Sequence, residues 1–472
     1  MFETGIRQLR MALAMVWGRP INPRTIERLI TDAVRTLEEF GSPGDDVQQL
    51  LDGPFADPSA RREFQNRSLQ LTARRLARHS PYYRDLFAAH SVIPDALTVA
   101  TLTQLPTTVK ADLNDHQSSF ITDDSPAYVA TRTTGTTGQP TEIWLSRYEI
   151  ELWPALAALS GLLRGEISPQ DCMQINISSR ATAAIQQNMT VCRLVGARAR
   201  MLGIIPPEES LDSLLSGGDS APTLLSTYPS YLAQLVQLAQ ARHLSPIDFR
   251  LRRVDCGGEV LSTALAQAAR DIFGALINDT FAMTEVLPVS GRVCTQGHLH
   301  HDLNMGLIEI IDEATGTPAG PDRLGTVIIT PYYPYRTCMP VFRFDTRDIV
   351  RCLPDTPLTC ELAGIPASSR ILGKANGLLT VPHTTVTQRD LVNVLEALPS
   401  HAWPVRYQAT IVDDTIALTV APEVAAGLTI REIEQQFRSV DIPVTVNISH
   451  DDSLLRSVRA DLHETTFAGR RN

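Results

Sequence analysis

Near the end of the first third of this 472-residue chain runs Thr133-Thr134-Gly135-Thr136-Thr137-Gly138-Gln139-Pro140-Thr141. Hydroxyl side chains and glycines are interleaved in it. Glycine lets the backbone turn tightly and approach an anion, while exposed N–H groups and threonine hydroxyls donate to phosphate oxygens. The loop therefore suits a polyphosphate. It is not the Walker pattern, which ends in Gly-Lys-Ser/Thr. A Thr/Gly-rich turn taken alone is equally a flexible hairpin, so its surroundings must separate the two readings.

Upstream, from Pro23 to about Phe87, apolar residues recur at helical spacing, as in Ile26, Leu29, Ile30, Ala33 and Val34, with Gly41-Ser42-Pro43-Gly44 as a break. Around and beyond the loop, between Tyr128 and Val350, short β-rich runs (172–177, 223–226, 253–256, 325–330) alternate with helical segments (230–242, 263–273). Such alternation predicts an α/β body with mixed, largely parallel sheets flanked by helices. After Leu372 the pattern restarts: helix near 388–398, strands near 405–412 and 415–420, helix near 430–438, strand near 445–448. The expected organisation is an N-terminal helical extension over 1–70, a large α/β domain over 71–373 and a small α+β domain over 374–472.

Composition narrows the partners. The formal charge is −10, and forty of the forty-two basic residues are arginine, Lys110 and Lys374 being the two lysines. No dense basic run or basic-aromatic interleaving marks a nucleic-acid footprint, so a small molecule is the expected partner. The seven cysteines are odd in number and scattered, which argues against a disulfide framework and fits a reducing cytoplasm. Met11 to Trp17 reads as one face of an amphipathic helix and not as a signal sequence, since Gly18-Arg19-Pro20 interrupts it. No run reaches the ~20 apolar residues of a membrane span.

Four further stretches accompany the loop in a fixed order: Cys256-Gly257-Gly258-Glu259, Phe281-Ala282-Met283-Thr284-Glu285, Arg343-Phe344-Asp345-Thr346-Arg347-Asp348, and Arg370-Ile371-Leu372-Gly373-Lys374-Ala375-Asn376-Gly377. Together the five resemble the motifs of the adenylate-forming superfamily. Two N-terminal segments, His79-Ser80-Pro81-Tyr82-Tyr83-Arg84 and Leu105-Pro106-Thr107-Thr108-Val109-Lys110-Ala111-Asp112-Leu113, and the turn Tyr228-Pro229-Ser230-Tyr231-Leu232 resemble phenylacetate-coenzyme A ligases within it. The resemblance runs from about residue 70 to the Lys374 hinge and fades beyond.

That resemblance implies a large adenylate-forming domain with a small mobile C-terminal domain, and ATP-dependent activation of a small aromatic acid as a mixed anhydride with AMP before transfer to coenzyme A. Thr133, Thr134, Gly135, Thr136, Thr137 and Gly138 are expected to hold the β and γ phosphates, with Thr284 on the α-phosphate and Glu285 on Mg²⁺. Gly257, Gly258, Glu259 and Phe281 are expected at the nucleotide base, Asp348 on the ribose hydroxyls, and Arg370 and Lys374 at the hinge. Tyr228, Pro229 and Ser230 are expected to form part of the acid pocket. Departures are concentrated on phosphate contacts. No lysine follows Lys374, so the cation that the superfamily places near its C-terminus falls to Arg459 or Arg456, a planar fork in place of a compact ammonium. Gln139 stands for a loop lysine, Lys374 for the hinge arginine, and Asn376 for the hinge acid. Transfer to an amine, activation of another oxyanion, or a degenerate nucleotide-binding protein are the competing readings.

Cys294, His300, Cys352 and Cys360, with His298 and His301 nearby, supply the thiolate and imidazole donors that suit tetrahedral Zn²⁺, though the spacing is loose and contains no Cys-x-x-Cys. The expected cofactors are thus ATP, Mg²⁺, coenzyme A and, as one alternative to unpaired cysteines and surface histidines, Zn²⁺. A homodimer is compatible with this reading and not required by it.

Overall fold

The computed structural model describes residues 2–16, 18–41, 57–133, 141–354, 356–399, 403–425 and 427–450. The loop residues 134–140 and the arginines 456 and 459 lie outside that set, as does most of the Gly41–Gly44 break. The chain gathers into two compact units: residues 1–173, 179–199 and 281–370 form the first, and residues 174–178, 200–280 and 371–472 the second.

The first unit begins with helices Phe2–Val16, Pro23–Phe40, Pro58–His79 and Pro81–Ala89. Three of them start on proline after an Asn22, Asp57 or Ser80 cap, where the missing N–H and fixed φ cost nothing. Pro23–Phe40 buries Ile26, Leu29 and Ile30, three of the residues whose periodicity marked it. Helix Arg147–Leu163 opens with a capping box, Ser146 and Glu149, both buried. The second oxygen of Glu149 accepts the N–H groups of Thr337 (2.7 Å) and Cys338 (3.1 Å), which fixes the chain ahead of Arg343.

The sheets of this unit are antiparallel. Gly306–Ile311, Leu324–Pro331 and Phe344–Arg351 pair in sequence order, and Ser290–Val293, His298–His301 and Ala367–Ser369 form a second antiparallel set. The run expected over 325–330 is therefore a strand, but with antiparallel neighbours, because the connections between these strands hold no crossover helix. The parallel part belongs to the second unit: Leu224–Thr227, Arg253–Gly257 and Leu276–Ala282 pair in parallel, joined through helices Pro229–Ala241 and Thr263–Phe273.

Within the second unit, the C-terminal segment adds hairpin Leu379–Val381/Thr384–Val386, helix Gln388–Leu395, antiparallel strands Tyr407–Val412 and Thr415–Val420, helix Ile430–Arg438, and Val444–Ile448 parallel to Thr415–Val420. Ile416, Leu418, Val420, Ile433 and Phe437 form its core. Among the described residues no helix is long and apolar enough to cross a membrane.

Candidate active site

In the first unit, the base of the Thr/Gly-rich loop is closed by its own ends. Thr133 N–H donates to Thr141 O at 2.9 Å, and Thr141 N–H to the Thr133 hydroxyl at 3.0 Å. Lys110 reaches the same hydroxyl with Nζ at 3.2 Å and stands 3.9 Å from Glu285 Oε1. Glu285 is buried in the turn that follows strand Leu276–Ala282. Residue type and local pattern assign Lys110 no role; its nearness to residue 285 is a tertiary fact.

The elements that hold Lys110 explain the signature segments. Tyr83 is fully buried, its hydroxyl 3.0 Å from the Thr108 hydroxyl and accepting Phe342 N–H at 2.7 Å. Thr108 in turn donates to Phe342 O at 2.7 Å, and Thr108 N–H to Arg343 O at 2.9 Å. Burial pushes the Tyr83 phenol far up, so it stays neutral. Arg343 carries φ +51°, rare for a non-glycine residue. It is held there by a bidentate contact with Glu309 (both 3.1 Å) and by donation to Leu105 O. Burial raises the Glu309 carboxyl, and Arg343 opposes that rise. The first arginine of the motif is thus a brace. Five residues on, Asp348 is buried on strand Phe344–Arg351, its N–H on the Thr346 hydroxyl at 3.1 Å. Thr284 lies half-buried beside Glu285, Phe281 is buried, and Ala282 is exposed. The guanidinium of Arg370 lies over Gly297, 3.3 Å from where a Cβ would stand.

The second unit contains the turn after strand Arg253–Gly257. Gly257 is required there because a Cβ would come 2.6 Å from the Thr280 hydroxyl, and Gly258 has φ +80°. Glu259 does not project freely: its two oxygens accept the Ser230 N–H (2.7 Å) and hydroxyl (2.9 Å), capping helix Pro229–Ala241. Two sequence-selected segments, Tyr228-Pro229-Ser230 and Gly257-Gly258-Glu259, are therefore one assembly. Tyr228 is buried, its hydroxyl accepting Ser178 N–H at 3.3 Å. Lys374 is half-buried at the start of a short turn, Ala375–Gly377. Thr134 to Gly138 and Arg459 fall outside the described residues.

The expected Cys/His set is partly corrected. Cys294, His298, His300 and Cys360 bring one potential ligand atom each to within 4.8 Å of the others, and Cys352 is not among them. Cys352 follows strand Phe344–Arg351 and points its thiol at Ala319 O, 3.4 Å away. His298 takes its place because residues two apart on strand His298–His301 share a face. His300 Nδ1 is 2.9 Å from Ile365 O, which leaves Nε2 toward the Cys360 thiol at 3.3 Å. Burial lowers the His300 pKa and raises that of Cys360. A second group, His79 with Asp123 and Asp124, is tied up with Arg75 as a surface ion network.

Comparison with known proteins agrees with the motifs. A phenylacetate-coenzyme A ligase of Pseudomonas putida is 24% identical over 362 residues, covering 71% of this chain and 76% of that one. Its counterpart in Escherichia coli (strain K12) is 25% identical over 343 residues, covering 69% and 74%. Among solved structures, 2-hydroxyisobutyryl-CoA ligase in its postadenylation state with 2-HIB-AMP superposes with a TM-score of 0.72 at 17% identity, over 88% of this chain and 93% of that one. The same ligase with 2-HIB-AMP and CoA in the thioesterification state gives 0.58. Residues 77–331, more than half of the sequence, match the profile of the AMP-binding enzymes, and the chain belongs to that family.

Proposed function

We propose that the protein is an AMP-forming ligase that activates a small aromatic carboxylic acid and passes it to coenzyme A. The observation that carries this reading is the buried Glu285 carboxylate beside Lys110 and Thr133 at the base of the Thr/Gly-rich loop. In the first step a carboxylate oxygen attacks the α-phosphorus of ATP and the bond to pyrophosphate breaks, giving acyl-AMP. In the second the sulfur of coenzyme A attacks the acyl carbon and AMP leaves.

Charge accumulates on phosphoryl oxygens in the first step, so positioned cations and donors matter more than a general base. In this reading Thr133 and the loop residues 134–138 hold the β and γ phosphates, Lys110 adds a cation there, and Thr284 donates to the α-phosphate. Asp348 accepts the ribose hydroxyls, and Gly257, Gly258, Glu259 and Phe281 frame the base. Lys374 and Arg459 act as the catalytic cations of the C-terminal domain, with Arg370 at the hinge. Glu285 offers the hard oxygen donors that Mg²⁺ takes, and the ion when bound would offset phosphate charge. Tyr228, Pro229 and Ser230 line the acid pocket. The same reading treats 1–70 as an extension, 71–373 as the adenylate-forming body and 374–472 as a mobile domain. Support comes from relatives that are phenylacetate-coenzyme A ligases. The altered hinge, with Lys374 for an arginine and Asn376 for an acid, bears on the second half-reaction and leaves a different acceptor, an amine, as the alternative. Incubation with ATP, Mg²⁺, coenzyme A and a panel of aryl and aliphatic acids separates the two: AMP together with an acyl thioester supports the first, AMP and pyrophosphate without a thioester the second.

The finer reading of the Cys/His set is a structural Zn²⁺ on Cys294, His298, His300 and Cys360. The donors fit: two sulfurs, two imidazoles, a His300 ring oriented by a backbone carbonyl, and a buried His298 Nδ1 without a protein partner among the described residues. Elemental analysis should find about one zinc per chain, lost in Cys360→Ser and retained in Cys352→Ser. Equal zinc in both variants would refute the assignment.

A further inference from the structure

Helix Gln388–Leu395 has two faces of opposite character. Leu391 and Leu395 enter the core that contains Ile416, Leu418 and Phe437. Arg389, Asn393 and the C-cap Glu396 follow the i, i+4, i+7 spacing of a single face, and that face is polar. Even so, Arg389 is only 7% exposed and Glu396 6%. What buries them is the Gly257–Thr263 turn of the same unit. Arg389 Nη1 donates to Leu261 O at 2.6 Å, Nε to Ile371 O at 2.7 Å, and Nη2 lies 3.3 Å from Asp279. Asn393 Oδ1 accepts Thr263 N–H at 3.1 Å, and the Glu396 carboxyl faces Ser262.

A helix can be seated by apolar contacts without the desolvation cost of a buried guanidinium, so this one calls for a reason beyond packing. Its partners supply it. Leu261 follows Glu259, which anchors Ser230, and Asp279 precedes Thr280, whose hydroxyl donates to Cys256 O at 2.8 Å and underlies Gly257. The rigid fork of one arginine thus ties together the two walls of Gly257 and the segment leading to the hinge.

We propose that Arg389 is a positioning residue for ATP. From the C-terminal segment it sets the spacing between the Gly257–Glu259 turn and strand Leu276–Ala282, so that the turn takes its binding geometry only while helix Gln388–Leu395 is seated. This rests on the reading that the turn frames the nucleotide base. Seating of the helix and nucleotide affinity are then one equilibrium.

The test compares the full-length protein with Arg389→Ala, Arg389→Lys and Asp279→Asn. It reads ATP affinity by calorimetry, thermal melting, and the ATP KM and kcat of acid-dependent ATP–pyrophosphate exchange. Arg389→Ala should raise the ATP Kd and KM by about tenfold, with kcat at saturating ATP within about twofold, and Arg389→Lys should recover part of the loss. Asp279→Asn should move Kd in the same direction by less. Unchanged Kd in well-folded variants, or a fall in kcat at constant KM, would overturn the proposal by making Arg389 a packing residue. If Arg389→Ala does not fold, the other two variants decide. Wild-type protein that binds ATP but exchanges with no acid would sink the ligase reading while leaving the Kd comparison decisive, and failure to bind ATP would sink both.

Discussion

At the scale of single residues, the chain has few ammonium groups to place, and the structure puts one of the two against the loop base. Lys110 Nζ lies within 3.9 Å of both the Thr133 hydroxyl and a Glu285 oxygen. In the proposed adenylation a compact cation at that point would offset charge building on phosphate oxygens, which the neutral Gln139 would not. Lys110→Ala should lower kcat/KM for acid-dependent exchange by ~10²-fold, and Lys110→Arg by less. An alanine variant within twofold of wild type would reduce Lys110 to a structural contact. Residue chemistry explains how much could be read in advance. Thr133, Glu285 and Asp348 are singled out by residue type and local pattern alone. Lys110 is 175 positions from Glu285 and acquires meaning only through the tertiary fold, in which the segment before it is tied to Tyr83 and Phe342. Glu259 reads as a site acid, yet its oxygens are committed to Ser230, a helix-capping partner 29 residues away.

At the scale of elements, periodicity located the helices and strands but not their neighbours. Strand 324–331 was visible from its apolar run, whereas its antiparallel pairing depends on which connections contain a helix. That His298 joins the Cys/His group was available from strand parity, since 298 and 300 share a face; Cys352 drew attention only because it is a cysteine. The polar stripe on Gln388–Leu395 was likewise written at i, i+4, i+7, but its burial comes from the turn it meets. That stripe has a pH consequence. Burial pushes the Glu396 carboxyl up to about 8, Glu259 adds to the rise, and the Ser262 hydrogen bond opposes it. Tyr407, the other titratable group facing it, is buried and neutral. Folding with a raised carboxyl pKa requires a proton. The stabilisation is therefore complete below about 4.5, the unfolded value, and is lost progressively as pH rises toward 8. Glu396→Gln, which keeps the shape without the charge, should flatten this slope and melt a few degrees above wild type at pH 8. Parallel melting-temperature profiles for the two proteins between pH 5 and 9 would show that Glu396 does not titrate in that range.

At the scale of the whole molecule, ordered motifs and a family match over residues 77–331 establish an AMP-binding enzyme, and the mixed α/β units agree with it. The substrate is less legible, because one scaffold in this family serves several acids and acceptors and specificity lies in side chains lining a pocket. The central claim is adenylation of an acid. Its most direct test is ATP–pyrophosphate exchange with Mg²⁺ across a panel of aryl and small aliphatic acids, run beside Glu285→Ala. Exchange should depend on one class of acid, be strongest for its aromatic members, and be abolished by the substitution. Exchange that is absent for every acid while ATP still binds, or that survives in Glu285→Ala, would contradict the claim.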